Sequence, residues 1–424
     1  MLQIHFLREH KNAIIERLNV RNHDFTKEVE HALAIDERRR LTQQEMDEVN
    51  HTSNTLSKQI GDLFKQGKKD EANAIREQTV AIKEKKHLLE ARFSELDAQL
   101  RDALSHIPNV PNTLVPAGKS DAENQLVEDH GEIPELGENA KPHWELAEDY
   151  KLIDFETGSK ITGAGFPVYT GQGARLQRSL VNFFLDEAAD AGYGEVIPPF
   201  VVNEASGYGT GQLPDKEGQM YHCQDDDLYL IPTAEVPVTN IYRDEILKEA
   251  DLPVKLCAHS PCFRREAGSY GKDVRGLNRL HQFEKVEIVQ IQHPDRSYDT
   301  LMEMVEHVKG LLEKLELPYR VVRLCGGDLG FTSALTYDLE VWSAAQQRWL
   351  EVSSVSNFET YQANRLKCRY RDENNKAQLA HTLNGSALAL PRIMAALLEN
   401  NQEEGGIRIP RALQPYTRFD KITG

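Results

Sequence analysis

The sequence lacks the cysteine pattern of a secreted or zinc-binding protein. Its five cysteines form no CxxC pair, and such an odd, sparse set favours buried thiols in a reducing compartment. We therefore expect no structural zinc site. No apolar run approaches membrane-spanning length, and the N-terminus lacks a charged region followed by an apolar one, which argues against a secretory signal. A cytoplasmic protein without a membrane partner is expected.

An excess of positive charge is also lacking. The chain has 50 Lys and Arg against 67 Asp and Glu, a formal net charge of −17. Because nucleic-acid affinity comes largely from neutralising phosphates, this balance excludes a polycationic DNA binder and, for the chain as a whole, argues against nucleic acid. The chain has 424 residues, 40% hydrophobic and 28% charged. That length and composition favour two or more domains with a sizeable core.

Proline is absent from residues 25–104, and glycine occurs there only at Gly61 and Gly67. The polar stretch 66–70 predicts a tight reversal between two helices of about 35–40 residues, each about 50–60 Å long. A compact bundle is the alternative, but the lack of a second apolar face favours a projecting antiparallel arm. A helical stripe of apolar residues recurs every three, four or seven positions: Val49, Leu56, Ile60, Leu63, Ile75, Ile82, Leu89, Phe93, Leu96 and Leu100.

Prolines at positions 108, 111 and 116 mark the end of this helical region, because they stop helices and favour extended chain. Strand-like and helical segments then alternate, which predicts an α+β domain. We place the domain boundary between residues 1–110 and 111–424. A helix predicted from about residue 174 to 191 leads into a short strand and the pair Pro198-Pro199, which is typical of an edge or interface strand.

Residues 261–287 predict a strand, a long loop and a second strand. So many charged groups on one strand face indicate either a solvated surface, which is the commoner case, or a polar ligand site. Period-two alternation places Arg264 with Glu266 on one face of the first strand, and His281, Phe283, Lys285 and Glu287 on one face of the second.

Two later segments carry further polar groups. Residues 351–354, followed by Asn357, continue a predicted strand. Residues 381–386 are predicted to open a helix that runs to Leu398. Asn, Gly and Ser at a helix start are ordinary capping residues. The functional alternative is that this helix N-terminus and Arg392 face an anion such as a phosphate.

Taken together and in this order, the segments resemble the class II aminoacyl-tRNA synthetases, and specifically the seryl-tRNA synthetase family. The resemblance covers essentially the whole chain. Pro199 falls at the proline of the family's motif 1, a dimer-interface element. Residues 263–268 and 281–287 match motif 2, and residues 384–392 match motif 3. Residues 233–235 match the segment that the family uses to bind serine.

The resemblance implies a fold and a reaction. The fold is an N-terminal antiparallel two-helix coiled coil, followed by an antiparallel β-sheet catalytic domain flanked by helices, in a homodimer. The reaction is the attack of L-serine on ATP to give seryl-adenylate, followed by transfer of the seryl group to the 3′-terminal adenosine of serine tRNA. Whether selenocysteine tRNA is a second acceptor is left open.

The resemblance also assigns the ATP side of the site. Arg264 would bridge the serine carboxylate and the α-phosphate, for which the guanidinium fork is suited and lysine is not. Glu266 would accept from the adenine amino group, Phe283 would stack on the base, and Arg392 would hold the γ-phosphate. The residues implied to bind ATP are Arg264, Arg265, Glu266, Phe283, Glu351, Val352, Ser353, Ser354 and Arg392, with Arg264, Arg392 and Glu351 as the catalytic group.

Glu351 and Ser354 are implied to hold Mg²⁺, an ion that prefers oxygen ligands. Strict alternation would place them on opposite faces, so the assignment requires the strand to end or bulge there. Motif 3 carries Ala387 and Pro391 where relatives usually have glycine. Proline is tolerated only in the first turn of a helix, so the placement of Arg392 depends on where the helix begins.

Serine recognition is a problem of polar discrimination, because groups that bind the substrate hydroxyl are left unpaired by alanine. Thr233 and Glu235 are expected to share a strand face and take the ammonium group. Glu287 and Ser386 are expected to form the hydroxyl pocket with support from Asn384. The serine-binding residues are then Thr233, Ala234, Glu235, Arg264, Glu287, Asn384 and Ser386.

Three alternatives to the enzyme are a non-catalytic RNA-binding relative, an enzyme that transfers its acyl group to a carrier protein, and a coiled-coil interaction protein. The intact charged residues argue against the first, the long arm against the second and the motif set against the third. Residues 24–104 hold 14 basic and 17 acidic residues, so the arm's expected RNA contacts are local, at residues 38–40 and at Lys65, Lys68 and Lys69. Such an arm suits a partner recognised mainly by shape.

Overall fold

The computed structural model describes residues 1–137, 140–215, 218–266 and 275–424. The chain divides into two compact units, one formed by Met1–Asn19 with His23–Pro108 and the other by Val20–Asn22 with Asn109–Gly424. Residues 267 and 268 of the predicted motif 2 lie outside the described residues. Within the described ranges, no helix has both the length and the apolar character needed to cross a membrane.

The first unit is a helical hairpin preceded by two short helices. The predicted hairpin is confirmed, and every residue of its apolar stripe is buried or half-buried. The reversal uses Gly67 at a φ of +76°, a left-handed conformation that glycine adopts without steric cost. The helices are α1 (Ile4–Glu9), α2 (Lys11–Leu18), α3 (Thr26–Lys65) and α4 (Lys69–Ser105).

A buried carboxylate of α3 connects this helix with α1. Asp36, only 1% exposed, pairs with Arg8 at 2.7 Å and with Arg39 at 3.2 Å. The Arg39 guanidinium also lies 5.6 Å from the centre of the Phe93 ring. Arg39 was expected to be free for RNA, but these contacts commit it to the packing of α3 against α4.

The second unit is a large sheet with helices around it. Its helices are α5 (His143–Asp149), α6 (Phe155–Ile161), α7 (Gly171–Asp190), α8 (Glu204–Thr210), α9 (Glu235–Asn240), α10 (Ser297–Lys314), α11 (Thr360–Leu366), α12 (Leu390–Asn400) and α13 (Gln414–Thr417). Its strands are β1 (Gln125–His130), β2 (Ile153–Asp154), β3 (Val168–Tyr169), β4 (Gly194–Glu195), β5 (Val201–Val202), β6 (His222–Cys223), β7 (Leu228–Leu230), β8 (Ile246–Lys248), β9 (Val254–Phe263), β10 (Gln282–Gln292), β11 (Tyr319–Arg323), β12 (Leu335–Ser343), β13 (Arg348–Asn357), β14 (Arg369–Arg371), β15 (Ala377–Leu379), β16 (His381–Ala389), β17 (Gln402–Glu403), β18 (Gly406–Arg408) and β19 (Lys421–Ile422).

The main sheet has the strand order β1-β11-β12-β13-β16-β10-β9-β4. Its neighbouring strands pair antiparallel except β4, which pairs parallel with β9 at the sheet edge. This confirms both the predicted antiparallel sheet and the edge strand near Pro199. The apolar faces of α7, α10 and α12 join the main core against the sheet, and its central strands therefore carry the polar groups of the site on a rigid base.

The predicted helix start at residues 384–386 is wrong. These residues belong to β16, which pairs with β10 on one side and with β13 on the other. The two ladders use the backbone groups that a helix start would leave free. Helix α12 begins only at Leu390, and Pro391 lies in its first turn, where proline is tolerated. Arg392 therefore lies at a true helix N-terminus.

Two further strand predictions need correction. Strand β9 ends at Phe263, because the backbone N–H of Arg265 leaves the ladder and donates to the carbonyl of Gln219. Glu266 then has a φ of +48°, so it does not share a strand face with Arg264. Glu235 is the first residue of α9, so it does not share a strand face with Thr233.

The bulge required for the proposed metal site is present. In the pairing of β12 with β13, Glu340 lies opposite Glu351 and Asp338 lies opposite Ser354. The register shifts between these pairs, which inserts one extra residue in β13. Because Asp338 and Glu340 are two residues apart on β12, they share a face. Glu351 and Ser354 therefore lie on one face as well.

Candidate active site

A buried carboxylate, Glu287 of β10, is the centre of the site. Its side chain is 1% exposed and pairs with the Lys285 ammonium at 2.5 Å. Thr233 donates to Glu287 Oε2 at 3.2 Å, and the Asn384 amide donates to Oε1 at 2.8 Å. A buried charge is tolerated when it is paired and hydrogen-bonded. The structure thus brings three of the predicted serine-binding residues into direct contact.

Glu235 is a second buried carboxylate beside the first. Gln362 of α11 donates to Glu235 Oε1 at 2.6 Å. Burial and, secondly, the negative charge of Glu287 together raise the pKa of Glu235 to about 7, against the opposing effect of the hydrogen bond from Gln362. Two carboxylates in one dry site resist ionising together. This site is therefore prepared to receive a cationic group.

Ser386 and Ala234, which are also predicted to bind serine, differ in what their side chains offer. Ser386 of β16 lies opposite Glu287 in the ladder, and its carbonyl accepts a hydrogen bond from Ser353 Oγ at 2.6 Å. Its own hydroxyl shares the strand face of Asn384, two residues away. Ala234 is fully buried in a small cluster with Val238, Ala258 and Val289. Ala234 thus packs the start of α9 and brings no polar side-chain group.

Arg264 lies between the residues predicted to bind serine and those predicted to bind ATP. Its Nε donates to the carbonyl of Pro232 at 3.4 Å, next to Thr233. Its guanidinium lies 5.2 Å from the centre of the Phe283 ring, a distance suited to a cation–π contact. The backbone N–H of Arg264 donates to the His281 carbonyl at 2.9 Å. The residue after β9 is therefore fixed against the start of β10.

An ion pair fixes Glu266, the residue predicted to contact adenine. Glu266 Oε2 pairs with the Arg279 guanidinium at 2.6 Å, across the loop that joins β9 to β10. The Arg265 side chain, by contrast, is exposed. The ion pair therefore fixes Glu266 beside Arg279, whereas the Arg265 side chain points toward water.

Arg392, at the start of α12, contacts Glu351 of β13. Arg392 donates to the Glu351 carbonyl at 2.6 Å and lies 3.5 Å from its carboxylate. Its Nε donates to the carbonyl of Asn278 at 3.3 Å. Half of the Glu351 side chain is exposed. A guanidinium and an open carboxylate at a helix N-terminus form a place where a polyphosphate could bind.

Asp338 adds a carboxyl group that the sequence did not indicate. Burial raises its pKa well above the usual range, and the neighbouring Glu351 charge raises it further, against a hydrogen bond from Ser354. Among the described residues, its Oδ1 has no hydrogen-bond partner. Val352 and Ser353 lie between Glu351 and Ser354 in sequence, but both side chains are buried. Only their backbone groups could reach a ligand.

Sequence reasoning also missed Gln362. Besides Glu235, it accepts a hydrogen bond from Thr382 at 2.7 Å and donates to the Thr210 carbonyl at 3.0 Å. It therefore joins α8, α11 and β16 beneath the pocket. No local pattern marks a lone glutamine on a short helix, and only the folded chain brings it to Glu235.

Two family models match the chain. The model described as the seryl-tRNA synthetase N-terminal domain matches residues 1–111. The model described as the class II core domain of tRNA synthetases (G, H, P, S and T) matches residues 221–401. The first covers the helical hairpin, and the second covers the strands and helices that carry the site.

Individual relatives agree with these matches. A serine–tRNA ligase of Salinibacter ruber is 52% identical over 424 residues, which cover 100% of this chain and 99% of the relative. The structure of seryl-tRNA synthetase from Pyrococcus horikoshii complexed with ATP matches with a TM-score of 0.93 at 34% identity, over 100% of this chain and 99% of that one. The cytoplasmic serine–tRNA ligase from Naegleria fowleri in complex with AMP has a TM-score of 0.88 at 25% identity, with the same coverage.

Proposed function

Because the chain belongs to the seryl-tRNA synthetase family, we propose that its site activates L-serine with ATP and passes the seryl group to tRNA. The chain is a class II aminoacyl-tRNA synthetase and a ligase. In the first step a serine carboxylate oxygen bonds to the α-phosphorus of ATP, and pyrophosphate leaves. In the second step a hydroxyl of the 3′-terminal adenosine bonds to the carbonyl carbon, and AMP leaves.

The observation that carries this proposal is the pair of buried carboxylates beside Arg264. Glu235 and Thr233 are assigned to the serine ammonium, while Glu287 and Ser386 are assigned to the hydroxyl, with Asn384 orienting Glu287. Arg264 would bind the serine carboxylate and the α-phosphate together, since it lies next to both Thr233 and Phe283. Holding the two reactants in this geometry supplies much of the catalysis.

The adenine and phosphate groups are assigned to the more open side. Phe283 would stack on the base, and the Glu266 oxygen not paired with Arg279 would accept from the adenine amino group. Arg392 would bind the γ-phosphate at the start of α12. Arg265 is assigned to ATP binding only as an exposed charge near the mouth of the site, and Val352 and Ser353 only through their backbone.

Glu351 and Ser354 fit a magnesium ion. The β13 bulge places them on one face, they offer hard oxygen ligands, and Asp338 Oδ1 is a carboxyl oxygen nearby that has no hydrogen-bond partner within the described residues. In the part of the chain that the structure describes, no cluster of three or more His, Cys, Asp or Glu residues is placed to hold a metal. Phosphate oxygens would therefore complete the coordination shell. When bound, Mg²⁺ would neutralise charge on the triphosphate.

The hairpin and the edge strand suggest the larger assembly. We assign residues 1–110 to tRNA binding and residues 111–424 to catalysis, with serine tRNA as the acceptor and selenocysteine tRNA as a second acceptor to be tested. Ile197, Phe200 and Val201 expose apolar side chains beside Pro199, Ile197 to 85%, which supports a homodimer through this edge. The free cysteines support a reducing, cytoplasmic location.

Charging of tRNA with labelled serine tests the proposal directly. The full chain should charge total tRNA only when serine and ATP are both present. A variant that lacks residues 27–102 should lose charging while it retains serine-dependent exchange of pyrophosphate into ATP. No charging by the folded full chain would refute the function, and equal loss of both activities in the deletion variant would refute the division of labour.

A further inference from the structure

Outside the substrate pocket, the described residues contain another buried acid–base pair, His143 and Glu399. Both side chains are fully buried, and His143 Nδ1 lies 2.7 Å from Glu399 Oε1. The backbone N–H of Leu277 donates to His143 Nε2 at 2.8 Å. A ring nitrogen that accepts a hydrogen bond carries no proton. His143 is therefore the neutral tautomer whose Nδ1–H donates to Glu399.

Glu399, in the last turn of α12, is held as a carboxylate by several donors. Burial alone would raise its pKa, but hydrogen bonds from His143 and Ser343 outweigh that effect and lower it. The backbone N–H of His143 also donates to it at 3.0 Å, and Gln346 Nε2 donates at 3.1 Å. A fully satisfied network of this kind rigidifies its surroundings.

This network contacts residues 275–280, which precede β10. We term these residues the return segment. Besides the bond to Leu277, the Arg275 guanidinium lies 5.0 Å from the centre of the Trp144 ring. Gly276 has a φ of +69° and leaves no room for a side chain, because an added Cβ would lie 2.3 Å from His143 Nε2. Two consecutive side chains of α5 thus hold the return segment by close contact.

The return segment in turn contacts the ATP side of the site. Asn278 donates to Gln346 Oε1 at 2.9 Å, and Gln346 bonds to Glu399. The carbonyl of Asn278 accepts from Arg392 Nε at 3.3 Å. Arg392 in the first turn of α12 and Glu399 in its last turn are therefore connected through the same segment.

We infer that His143 is a positioning residue for ATP, which with Glu399 fixes the return segment and, through the Asn278 carbonyl, the orientation of Arg392. The inference rests on the proposed function, because it assigns Arg392 to the ATP phosphates. His143 contacts none of the residues assigned to serine. Loss of His143 should therefore weaken the use of ATP and leave the use of serine intact.

The test is pyrophosphate exchange with His143→Phe, which preserves ring volume but removes both hydrogen bonds. The KM for ATP should rise about tenfold, the effect of one lost hydrogen bond to a charged group, and the KM for serine should stay unchanged. His143→Gln, which can still accept from Leu277, should recover most of the loss. Tyr193→Phe is the matched control, because it removes one buried hydrogen bond, to Gln290, away from the return segment.

Gly276→Ala provides a second variant in case His143→Phe folds poorly. It keeps both side chains of the buried pair, but its Cβ would press on the His143 ring and displace the return segment, so it should raise the KM for ATP in the same selective way. An unchanged KM for ATP in the folded variants, or equal rises for ATP and serine, would overturn the inference. If the wild-type chain shows no exchange at all, the proposed function fails instead.

Discussion

In the candidate active site, the residues proposed to bind serine (the serine side) are dry, whereas those proposed to bind ATP (the ATP side) are open to water. Glu235 is 6% exposed and Glu287 is 1% exposed, and their hydrogen-bond partners, Gln362 for the first and Thr233 and Asn384 for the second, come from different elements of the fold. On the ATP side, half of the Glu351 side chain is exposed, and Arg392 is 29% exposed. Both sides are lined by charged groups, but only the serine side excludes solvent from them.

The difference follows from what each side has to do. A small amino acid is distinguished from alanine only if its hydroxyl meets groups that are costly to leave unpaired, and that cost requires burial. A triphosphate carries its own charge and must enter, while pyrophosphate must leave. An open surface with guanidinium and carboxylate groups suits that traffic. Arg264 is the residue that contacts both sides.

Arg264→Lys should have the largest effect, because it removes the fork that serves both substrates. We expect kcat/KM in pyrophosphate exchange to fall about a thousandfold for serine and for ATP, since a lysine ammonium cannot make the two-pronged contact. Arg408→Lys is the control with the same chemical change, because Arg408 of β18 forms an ion pair with Glu316. A loss confined to one substrate would break the assignment of Arg264 to both sides.

Glu287→Gln should separate the two sides. Neutralising the buried carboxylate weakens the hydroxyl pocket and leaves Lys285 without its charge partner, a loss of several kcal/mol in comparable sites. The KM for serine should rise about a hundredfold, and the free energy of unfolding should drop, while the KM for ATP changes little. Exchange kinetics with each substrate varied in turn, beside a thermal melt, would show this. Equal rises in both KM values would contradict the division.

The pH dependence of serine use should report Glu235. Its pKa is about 7, and only the carboxylate can pair with the serine ammonium. The kcat/KM for serine should therefore rise about tenfold between pH 6 and pH 8, since this parameter follows the free enzyme. Glu235→Gln, which binds serine weakly at every pH, should abolish the slope. If that variant keeps the same slope, another group is responsible.

The raised pKa of Glu235 also predicts how the free energy of unfolding depends on pH. The pKa of Glu235 is about 7 in the folded chain, whereas the ordinary value of 4.5 applies to the unfolded chain. Between these two pH values, the Glu235 carboxyl is protonated in the folded chain and ionised in the unfolded chain. The free energy of unfolding should therefore fall as pH rises from about 4.5 to about 7. Saturating serine should offset this loss at pH 7 and above, which thermal melts with and without serine would measure.

Ser354→Ala should have the smallest effect and should belong to the ATP side alone. Removing one neutral oxygen ligand leaves Glu351 and the phosphates, so we expect a few-fold rise in the Mg²⁺ concentration needed for half-maximal exchange. The KM for serine should not change. A rise in the KM for serine without any change in the Mg²⁺ requirement would place Ser354 outside the ATP side.

The sequence predicted the larger elements of the fold better than the details of either side of the site. The antiparallel hairpin follows from a single stripe of apolar residues at helical spacing, and the sheet from several short apolar segments. Strand alternation placed Lys285 and Glu287 on one face, where they pair. It failed for Glu266 and Glu235, because a backbone that leaves its ladder or enters a helix no longer alternates.

The remaining errors have a common physical cause. Asn384 and Ser386 have the composition of a helix start, yet β16 lies between two strands whose backbone groups decide its conformation. Gln362 and Asp338 reach the site from elements distant in sequence, and no local pattern announces them. The bulge between Glu351 and Ser354 was a requirement of the motif assignment, and only the pairing of β12 with β13 reveals that it exists.

The central claim is that the dry serine side selects serine for activation by ATP. Pyrophosphate exchange by the purified full-length chain tests it most directly, with serine, alanine and threonine compared at equal concentration. We expect exchange with serine, and a kcat/KM at least about a thousandfold lower with alanine, because alanine leaves the Glu287 site unpaired. Exchange with alanine at a rate close to that with serine, or no exchange with any of the three, would contradict it.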